Sequence, residues 1–177
     1  PDGTLRMTLD ARNINRSIQS TNLPIPRQED IKAKLNGNKI FSKMDFKTAF
    51  WQLELHPSSR HITCFYGKNR LLRFKRLTMG LKPAQGELNT SLKPLFAHIP
   101  DAHLIHDDLI VATKTAKEHC EVIKEVMESV SKAGLTLNSE KCVFGKNEIK
   151  FWGLIISSEG IKPDPEKVEA LKYITPP

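Results

Sequence analysis

The most constraining feature of the sequence is a pair of adjacent acids, Asp107 and Asp108, inside a strongly apolar segment that runs from His103 to Val111. Two neighbouring carboxylates raise each other's electrostatic cost, and partial burial raises it further. A divalent cation offsets that cost, because hard cations such as Mg²⁺ bind carboxylate oxygens. The pair therefore predicts a metal-binding turn in a hairpin of two apolar strands.

A third acid, Asp45, ends another apolar segment that starts near Lys39. Two strand-like segments that end in acids can converge on one pair of ions about 3.5–4 Å apart, which is the layout of two-metal phosphoryl transfer. In that layout one ion lowers the pKa of an attacking hydroxyl and the other holds the leaving phosphate. The alternative is that each Asp is an ordinary turn or cap residue at a strand end.

The composition indicates a basic, globular protein. The chain has 177 residues, 39% of them hydrophobic and 27% charged, and a formal net charge of +7, which fits one core with room for two subdomains. The charge favours a polyanionic partner such as nucleic acid, and a solvated basic surface is the alternative.

Cys64, Cys120 and Cys142 are widely spaced, which predicts reduced thiols in an intracellular protein. No apolar run reaches about 18 residues, so no membrane span is predicted.

The apolar pattern predicts short strands and helices that alternate irregularly. Strands are predicted at residues 5–10, 39–45, 51–55, 62–66 and 71–74 and around the acid pair, and helices near 31–37, from Pro83 to about residue 96, and from Thr115 to Gly134. Pro94 inside the second helix predicts a kink or an early end. This mixture predicts an α+β fold in which helices pack on one face of a mainly antiparallel sheet.

Seven segments occur in an order that is typical of one family of enzymes. They are residues 5–15, 41–46, 79–81 with the helix that follows, 105–108, 134–142, 151–153 and 160–168. Together they resemble the reverse transcriptase of gypsy-type LTR retrotransposons and of retrovirus-like Pol polyproteins. The resemblance covers nearly the whole chain, and an ordered set of motifs is far more specific than any one of them.

The resemblance implies a right-hand polymerase fold with fingers and palm only, without a thumb. It divides a single domain, residues 1–177, into fingers at about 1–38 and 58–82, palm at about 39–57 and 83–160, and the start of a connection at 161–177. It implies RNA- or DNA-templated DNA synthesis with two Mg²⁺ ions, or Mn²⁺ in their place. The expected partners are a template with its primer, dNTPs, and the thumb, RNase H and integrase regions of a parent polyprotein. The expected location is the cytoplasm or a virus-like particle, with no membrane partner.

The resemblance also assigns roles to individual residues. It places catalysis and metal binding on Asp45, Asp107, Asp108 and the main-chain carbonyl of Phe46, dNTP binding on Arg6, Phe50 and Asn89, and primer or template contacts on Arg12, Arg73, Lys75, His106, Phe151, Trp152 and Gly153. The Phe50 ring would exclude a 2′-hydroxyl sterically. Arg6 would grip phosphate oxygens with a fixed charge.

Each of these roles has a structural alternative. Arg6 alone would be a solvated strand residue, Phe50 a core residue, and the 151–153 segment an apolar hairpin of the core. The basic stretch at 68–76 either lines a template path or forms a charged hairpin face. His106 fills the variable position of the acid motif.

Two departures from the family pattern motivate a different function. Ile105 stands where the family has Tyr before the acids, and Leu88-Asn89 stands for Phe-Gln. These changes leave the metal ligands intact but bear on fidelity, rate and nucleotide affinity. The alternative function is therefore that of a catalytically inactive or domesticated nucleic-acid-binding relic of a reverse transcriptase. A third alternative is a two-metal nuclease, which the three acids fit but no other feature of the sequence supports.

Overall fold

The structure, a computed structural model, describes residues 7–19 and 28–172. The elements in these residues are α1 (Arg12–Ser17), α2 (Gln28–Leu35), β1 (Ile40–Asp45), 3-10 helices at Ala49–Gln52 and Pro57–Thr63, β2 (Cys64–Tyr66), β3 (Leu71–Arg73), α3 (Ala84–Phe96), β4 (Ala102–Ile105), β5 (Asp108–Thr113), α4 (Ala116–Lys132), β6 (Val143–Lys146), β7 (Glu148–Phe151), β8 (Leu154–Ser157), β9 (Gly160–Pro163) and α5 (Pro165–Lys172). None of the described helices is long and apolar enough to cross a bilayer.

Most of the predicted elements are present, and three segments differ from the prediction. The segment predicted as a strand at 51–55 begins instead in the 3-10 helix Ala49–Gln52 and makes only an isolated bridge at Glu54. Helix α3 ends at Phe96 as predicted, so the early end at Pro94 is wrong, and the kink predicted as the alternative stays a prediction. Residues 7–10 form no regular element, and Arg6 lies outside the described residues.

The chain divides into two compact units. The first contains Pro1–Pro24 and Lys47–Pro94, and the second contains Ile25–Phe46 and Leu95–Pro177. All three predicted metal-binding acids belong to the second unit. The boundaries predicted for fingers and palm stay a prediction.

The first unit contains the β2–β3 hairpin and a small core around Ala11, Leu77 and Leu81. Its tightest point is Gly80, which has φ +100° and lies so close to the carbonyl oxygen of Leu9 that a Cβ atom would collide with it. The side-chain amide of Asn15 fixes the same turn, because Nδ2 donates to the Gly80 carbonyl at 2.7 Å and Oδ1 accepts from the Lys82 N–H at 2.8 Å. Only glycine fits this position.

The second unit is built on a four-stranded antiparallel sheet with the order β4-β5-β1-β6, beside a three-stranded sheet β7-β8-β9. Alternation along β1 places Phe41, Lys43 and Asp45 on one face of the larger sheet. Ser42 and Met44 lie on the other face, opposite Val111 and Leu109 of β5.

Both faces of the larger sheet are covered. The face that carries Phe41 contributes to a buried cluster with members from α2 and from the three-stranded sheet: Ile31, Leu35, Phe41, Ile105, Ile110, Ala112, Ile149, Phe151 and Ile156. Helix α4 packs on the Ser42 face through His119 and buries Val126 and Val130. The mixed fold of helices and antiparallel sheets is as predicted, but the helices are not restricted to one face.

A chain of buried hydrogen bonds joins α4 to three strands of this sheet. His119 is 5% exposed, and its Nε2 lies 2.7 Å from Ser42 Oγ while its Nδ1 lies 2.9 Å from Thr113 Oγ1. The Thr113 hydroxyl donates to the Thr115 carbonyl, and the Gly145 N–H donates to Ser42 Oγ at 2.9 Å. Because the Thr113 hydroxyl proton is already donated to the Thr115 carbonyl, Thr113 Oγ1 accepts a proton from Nδ1 of His119. Ser42 donates its own hydroxyl proton to Nε2, so His119 is neutral with its proton on Nδ1. The network fixes β1 three residues before Asp45.

Candidate functional site

The register of β1 and β5 brings the predicted acids together. Asp45, the last residue of β1, is the direct partner of Asp108, the first residue of β5. Directly opposed residues of an antiparallel pair have Cβ atoms about 4.5–5.5 Å apart on one face of the sheet. Asp107 precedes Asp108 in the turn and is exposed. Acids that lie more than 60 residues apart in sequence therefore share one end of the sheet.

A strained two-residue turn presents the acid pair. Ile105 pairs with Asp108, so that only His106 and Asp107 connect β4 to β5. His106 has φ +57°, a left-handed value at the position where a type II′ hairpin turn normally has glycine. Strain of this kind persists where the surrounding structure over-determines it, as it does at many functional sites.

Lys43 forms the ion pair of this cluster. It lies on the same face as Asp45, and its Nζ is 3.4 Å from Oδ2 of Asp108, with 26% and 15% of the two side chains exposed. Burial raises the pKa of the Asp108 carboxyl, the Lys43 charge opposes that rise, and the neighbouring Asp107 and Asp45 charges add to it. The site therefore carries more negative charge than its own residues neutralise.

The donor atoms of the cluster suit a hard divalent cation, because carboxylate oxygens are the ligands that Mg²⁺ prefers. In the described part of the chain no three His, Cys, Asp or Glu side chains already converge as a metal cluster, which is consistent with Asp108 pointing toward Lys43. The main-chain carbonyl of Asp45 accepts the Asn138 N–H at 2.8 Å, whereas the predicted role of the Phe46 carbonyl stays a prediction.

A second hairpin turn meets the acidic turn. Trp152 and Gly153 connect β7 to β8 with φ +51° and +72°, the pattern of a type I′ turn. The Trp152 ring is 39% exposed and lies 4.6 Å from the His106 ring, between ring centroids. Phe151 stacks on Trp152 at 5.1 Å but is only 2% exposed. For Phe151 the structure favours a core role, while Trp152 is accessible to a ligand.

The other predicted residues belong to the first unit, apart from Arg6, which is not described. Phe50 is half-buried against the small core, and Asn89 is half-buried on α3. Arg73 and Lys75 are exposed at the β2–β3 hairpin. Their predicted contacts with nucleotide or template stay predictions.

Arg12, predicted to contact primer or template, already has a carboxylate partner. Its Nε and one terminal nitrogen donate to Asp10 at 2.9 and 2.7 Å, and this contact lowers the pKa of Asp10 to about 2. A guanidinium that is engaged along one edge has fewer donors left for phosphate oxygens.

The sequence prediction missed two residues of this region, Lys43 and His119. Lys43 could have been found by strand alternation, since it lies two residues before Asp45 and therefore on the same face. His119 lies within the helix predicted from Thr115 to Gly134, and no role was predicted for it. The hydrogen bonds of its ring depend on long-range pairing that no local signal reveals.

Comparison of the sequence with protein families gives one match that covers most of the chain. Residues 1–156 match the family described as reverse transcriptase (RNA-dependent DNA polymerase). Among curated proteins, the Transposon Tf2-3 and Tf2-4 polyproteins of Schizosaccharomyces pombe are each 26% identical over 170 residues. The match covers 95% of this chain but only 13% of each polyprotein, so the chain spans about an eighth of the length of these relatives.

Solved structures share the fold over the full length of the chain. The foamy viral protease-reverse transcriptase dRH in complex with double-stranded DNA has a TM-score of 0.92 at 25% identity, over 100% of this chain and 31% of that one. The foamy viral enzyme in complex with an RNA/DNA hybrid has a TM-score of 0.87 at 24% identity, over 97% of this chain and 24% of that one. The α+β fold predicted for fingers and palm is confirmed at this level.

Proposed function

The chain belongs to the reverse transcriptase family, and on this premise we propose that it is the polymerase core of a gypsy-type retroelement enzyme that extends a primer on an RNA or DNA template. The observation that carries the proposal is the direct pairing of Asp45 with Asp108, beside Asp107. Three carboxylates gathered at the end of a buried sheet destabilise the fold, because like charges at partial burial cost free energy. This cost favours a role in phosphoryl transfer over a role in stability.

In this proposal Asp45, Asp107, Asp108 and the Phe46 carbonyl would hold two Mg²⁺ or Mn²⁺ ions. The chemistry that such ions supply is neutralisation of phosphate charge and a lower pKa for the attacking hydroxyl. The primer 3′-oxygen forms a bond to the α-phosphorus of the dNTP, and the bond to pyrophosphate breaks. The protein contributes mainly positioning. The contact between the His106 ring and the exposed Trp152 ring holds the turn that carries Asp107 beside the turn that carries Trp152.

Substrate contacts follow the residue types. Arg6 and Asn89 would bind the dNTP, and the Phe50 ring would exclude a ribose 2′-hydroxyl. Trp152 and Gly153 would support the primer strand beside His106, because aromatic rings and main-chain amides are common contacts to nucleic acid.

The basic residues of the first unit, including Arg73 and Lys75, would follow the template. The foamy viral structures with double-stranded DNA and with an RNA/DNA hybrid support nucleic acid as the partner. The length of the Tf2 polyproteins, of which the match covers 13%, supports a parent protein with further domains. The location that goes with this proposal is the cytoplasm or a virus-like particle.

A second candidate function is nucleic-acid binding without polymerisation. Ile105 replaces a residue with a hydroxyl beside the acids, and Asp108 is engaged by Lys43 at 3.4 Å. Both observations are compatible with a relic that retains the fold and the basic surface.

The test is primer extension on poly(rA)/oligo(dT) with Mg²⁺ or Mn²⁺, run on the longest protein that contains this chain. Asp107→Asn should abolish dNTP incorporation and leave template–primer binding within about twofold, because the carboxylate serves chemistry and not binding. Asp101→Asn, at another exposed acid before β4, is the matched control and should retain incorporation. An unchanged rate in Asp107→Asn would refute the metal assignment. Binding without incorporation by the unmodified protein would favour the relic.

A further inference from the structure

Lys43 has no role in the function proposed above, yet among the described residues its ammonium is the cation that forms an ion pair with one of the three acids. The Nζ–Oδ2 distance of 3.4 Å to Asp108 joins two side chains that are 26% and 15% exposed. Pairs on the open surface contribute little because water and salt screen them, but a half-buried pair is screened much less. This ion pair is therefore expected to affect both the stability and the charge of the cluster.

A second contact holds the ammonium on its other side. Lys43 Nζ lies 5.8 Å from the centroid of the Phe151 ring, which is 2% exposed. A cation at this distance is attracted to the ring, more so where water is excluded. Phe151 stacks on Trp152, and Trp152 contacts His106 of the acidic turn. Lys43 thus closes a ring of contacts between the acidic turn, His106 and Asp107, and the turn at Trp152 and Gly153, which we call the aromatic turn.

The charges of the cluster do not balance. Asp45, Asp107 and Asp108 face a single ammonium, and in the described residues neither Asp45 nor Asp107 takes part in an ion pair. Three carboxylates and one lysine leave two net negative charges. Asp108 is the acid whose oxygen is already engaged, so a cation that enters the cluster meets Lys43 at that oxygen.

We propose that Lys43 is a positioning residue for the acidic cluster, a tethered cation that neutralises Asp108 in the metal-free protein and competes with divalent cations for that carboxylate. This inference rests on the proposed function, because it assumes that the three acids bind such ions. Lys43 stabilises the metal-free site and weakens cation binding. Its removal has opposite effects on these two quantities, whereas a residue that only supports the fold would weaken both.

The experiment measures Mn²⁺ binding and stability in the 177-residue chain. Free Mn²⁺ is followed by electron paramagnetic resonance, and urea unfolding is recorded in EDTA. Lys43→Met should bind Mn²⁺ roughly tenfold more tightly, because one unit of positive charge leaves a half-buried site, and its urea midpoint in EDTA should fall. Lys43→Arg should retain both properties. Lys39→Met, which removes an exposed charge at the start of β1, is the control and should change neither.

Two outcomes would overturn the inference. One is that Lys43→Met binds Mn²⁺ no more tightly than the unmodified chain. The other is that Lys43→Met lowers the midpoint in EDTA as much in an Asp108→Asn background as it does alone, since the loss should depend on the pair. Failure of the proposed function has a different signature: Mn²⁺ binding would then be absent, or would not be weakened by Asp107→Asn. The inference fails by itself when that binding is present and Lys43→Met leaves it unchanged.

Discussion

Replacement of His119 by leucine removes the centre of a buried hydrogen-bond chain. In the folded protein the ring accepts from Ser42 at 2.7 Å and donates to Thr113 at 2.9 Å, and these two side chains are 0% and 2% exposed. Thr113 retains its bond to the Thr115 carbonyl, and Ser42 still accepts from the Gly145 N–H. The Ser42 hydroxyl proton, however, loses its acceptor in a place that water does not reach.

The magnitude follows from these contacts. A buried donor without an acceptor costs about 1–3 kcal/mol, and each hydrogen bond lost contributes about 0.5–1.5 kcal/mol. Leucine packs against β1 and β5 and recovers part of this loss by burial. We therefore expect His119→Leu to lower the free energy of unfolding by about 2–4 kcal/mol at pH 8, measured by urea denaturation.

The matched control removes all three side chains of the network. The triple variant Ser42→Ala, Thr113→Val, His119→Leu leaves no orphaned hydroxyl, and replacing both partners of a buried bond by apolar groups can be nearly neutral. The Gly145 N–H loses Ser42 as its acceptor, but Gly145 is exposed, so water replaces that acceptor. It should be more stable than the single variant, despite two further substitutions. If His119→Leu costs less than about 1 kcal/mol, or if the triple variant is the less stable of the two, the hydrogen-bond chain does not stabilise the fold as argued.

The pH dependence of this loss has a definite sign. Burial lowers the pKa of His119 below its ordinary value of 6.5. Below about pH 6.5 the unfolded chain therefore binds more protons than the folded protein, and stability falls as the pH falls toward the folded pKa, by at most about 1.4 kcal/mol per pH unit. The leucine variant lacks this group. The difference in free energy of unfolding between the unmodified protein and His119→Leu should therefore shrink from pH 8 to pH 5.5. Burial also lowers the pKa of His103, but this residue contributes equally to the two proteins.

Three further substitutions test other parts of the structure. Gly80→Ala places a Cβ against the Leu9 carbonyl at φ +100° and should lower the free energy of unfolding by at least about 2 kcal/mol, measured in urea. Thr115→Ala removes the capping box that Thr115 and Glu118 form at 3.1 and 3.3 Å and should cost about 1 kcal/mol in the same assay; a loss under about 0.3 kcal/mol would contradict that role. Phe50→Ala should increase incorporation of ribonucleotides relative to dNTPs in primer extension, and unchanged discrimination would remove Phe50 from the sugar pocket.

Local signals predicted the elements whose causes are themselves local. The Thr115 capping box and the C-terminal Gly134, with φ +66°, delimit α4 as expected. The apolar segments that end at Asp45 and flank the acid pair predicted β1, β4 and β5. The convergence of these acids was also predictable, because strands that end in acids have few other reasons to carry them in an apolar context.

Long-range contacts account for what local patterns could not predict. The segment at Trp51 alternates like a strand but has no strand partner beyond one bridge, from Glu54 to Arg76, and it folds into a 3-10 helix instead. Pro94 stays within α3 although it lacks a donor, since burial of Leu92 and Phe96 on either side holds the last turn in place. Tertiary burial outweighed local propensity in both cases.

Each of the two turns that carry the proposed chemistry holds a non-glycine residue with a positive φ, a conformation that Thr48 also adopts outside them. His106 and Trp152 are both in left-handed conformations, although neither is glycine, and each rests its ring on the other. Such a conformation costs of order 1–3 kcal/mol per residue, and the contact between the His106 and Trp152 rings offsets part of that cost, since a ring pair contributes about 0.5–1.5 kcal/mol. The conformation of the acidic turn thus depends on side-chain contacts with residues outside it. A substitution in the aromatic turn should therefore displace Asp107 at a smaller loss of stability than is needed to unfold the protein.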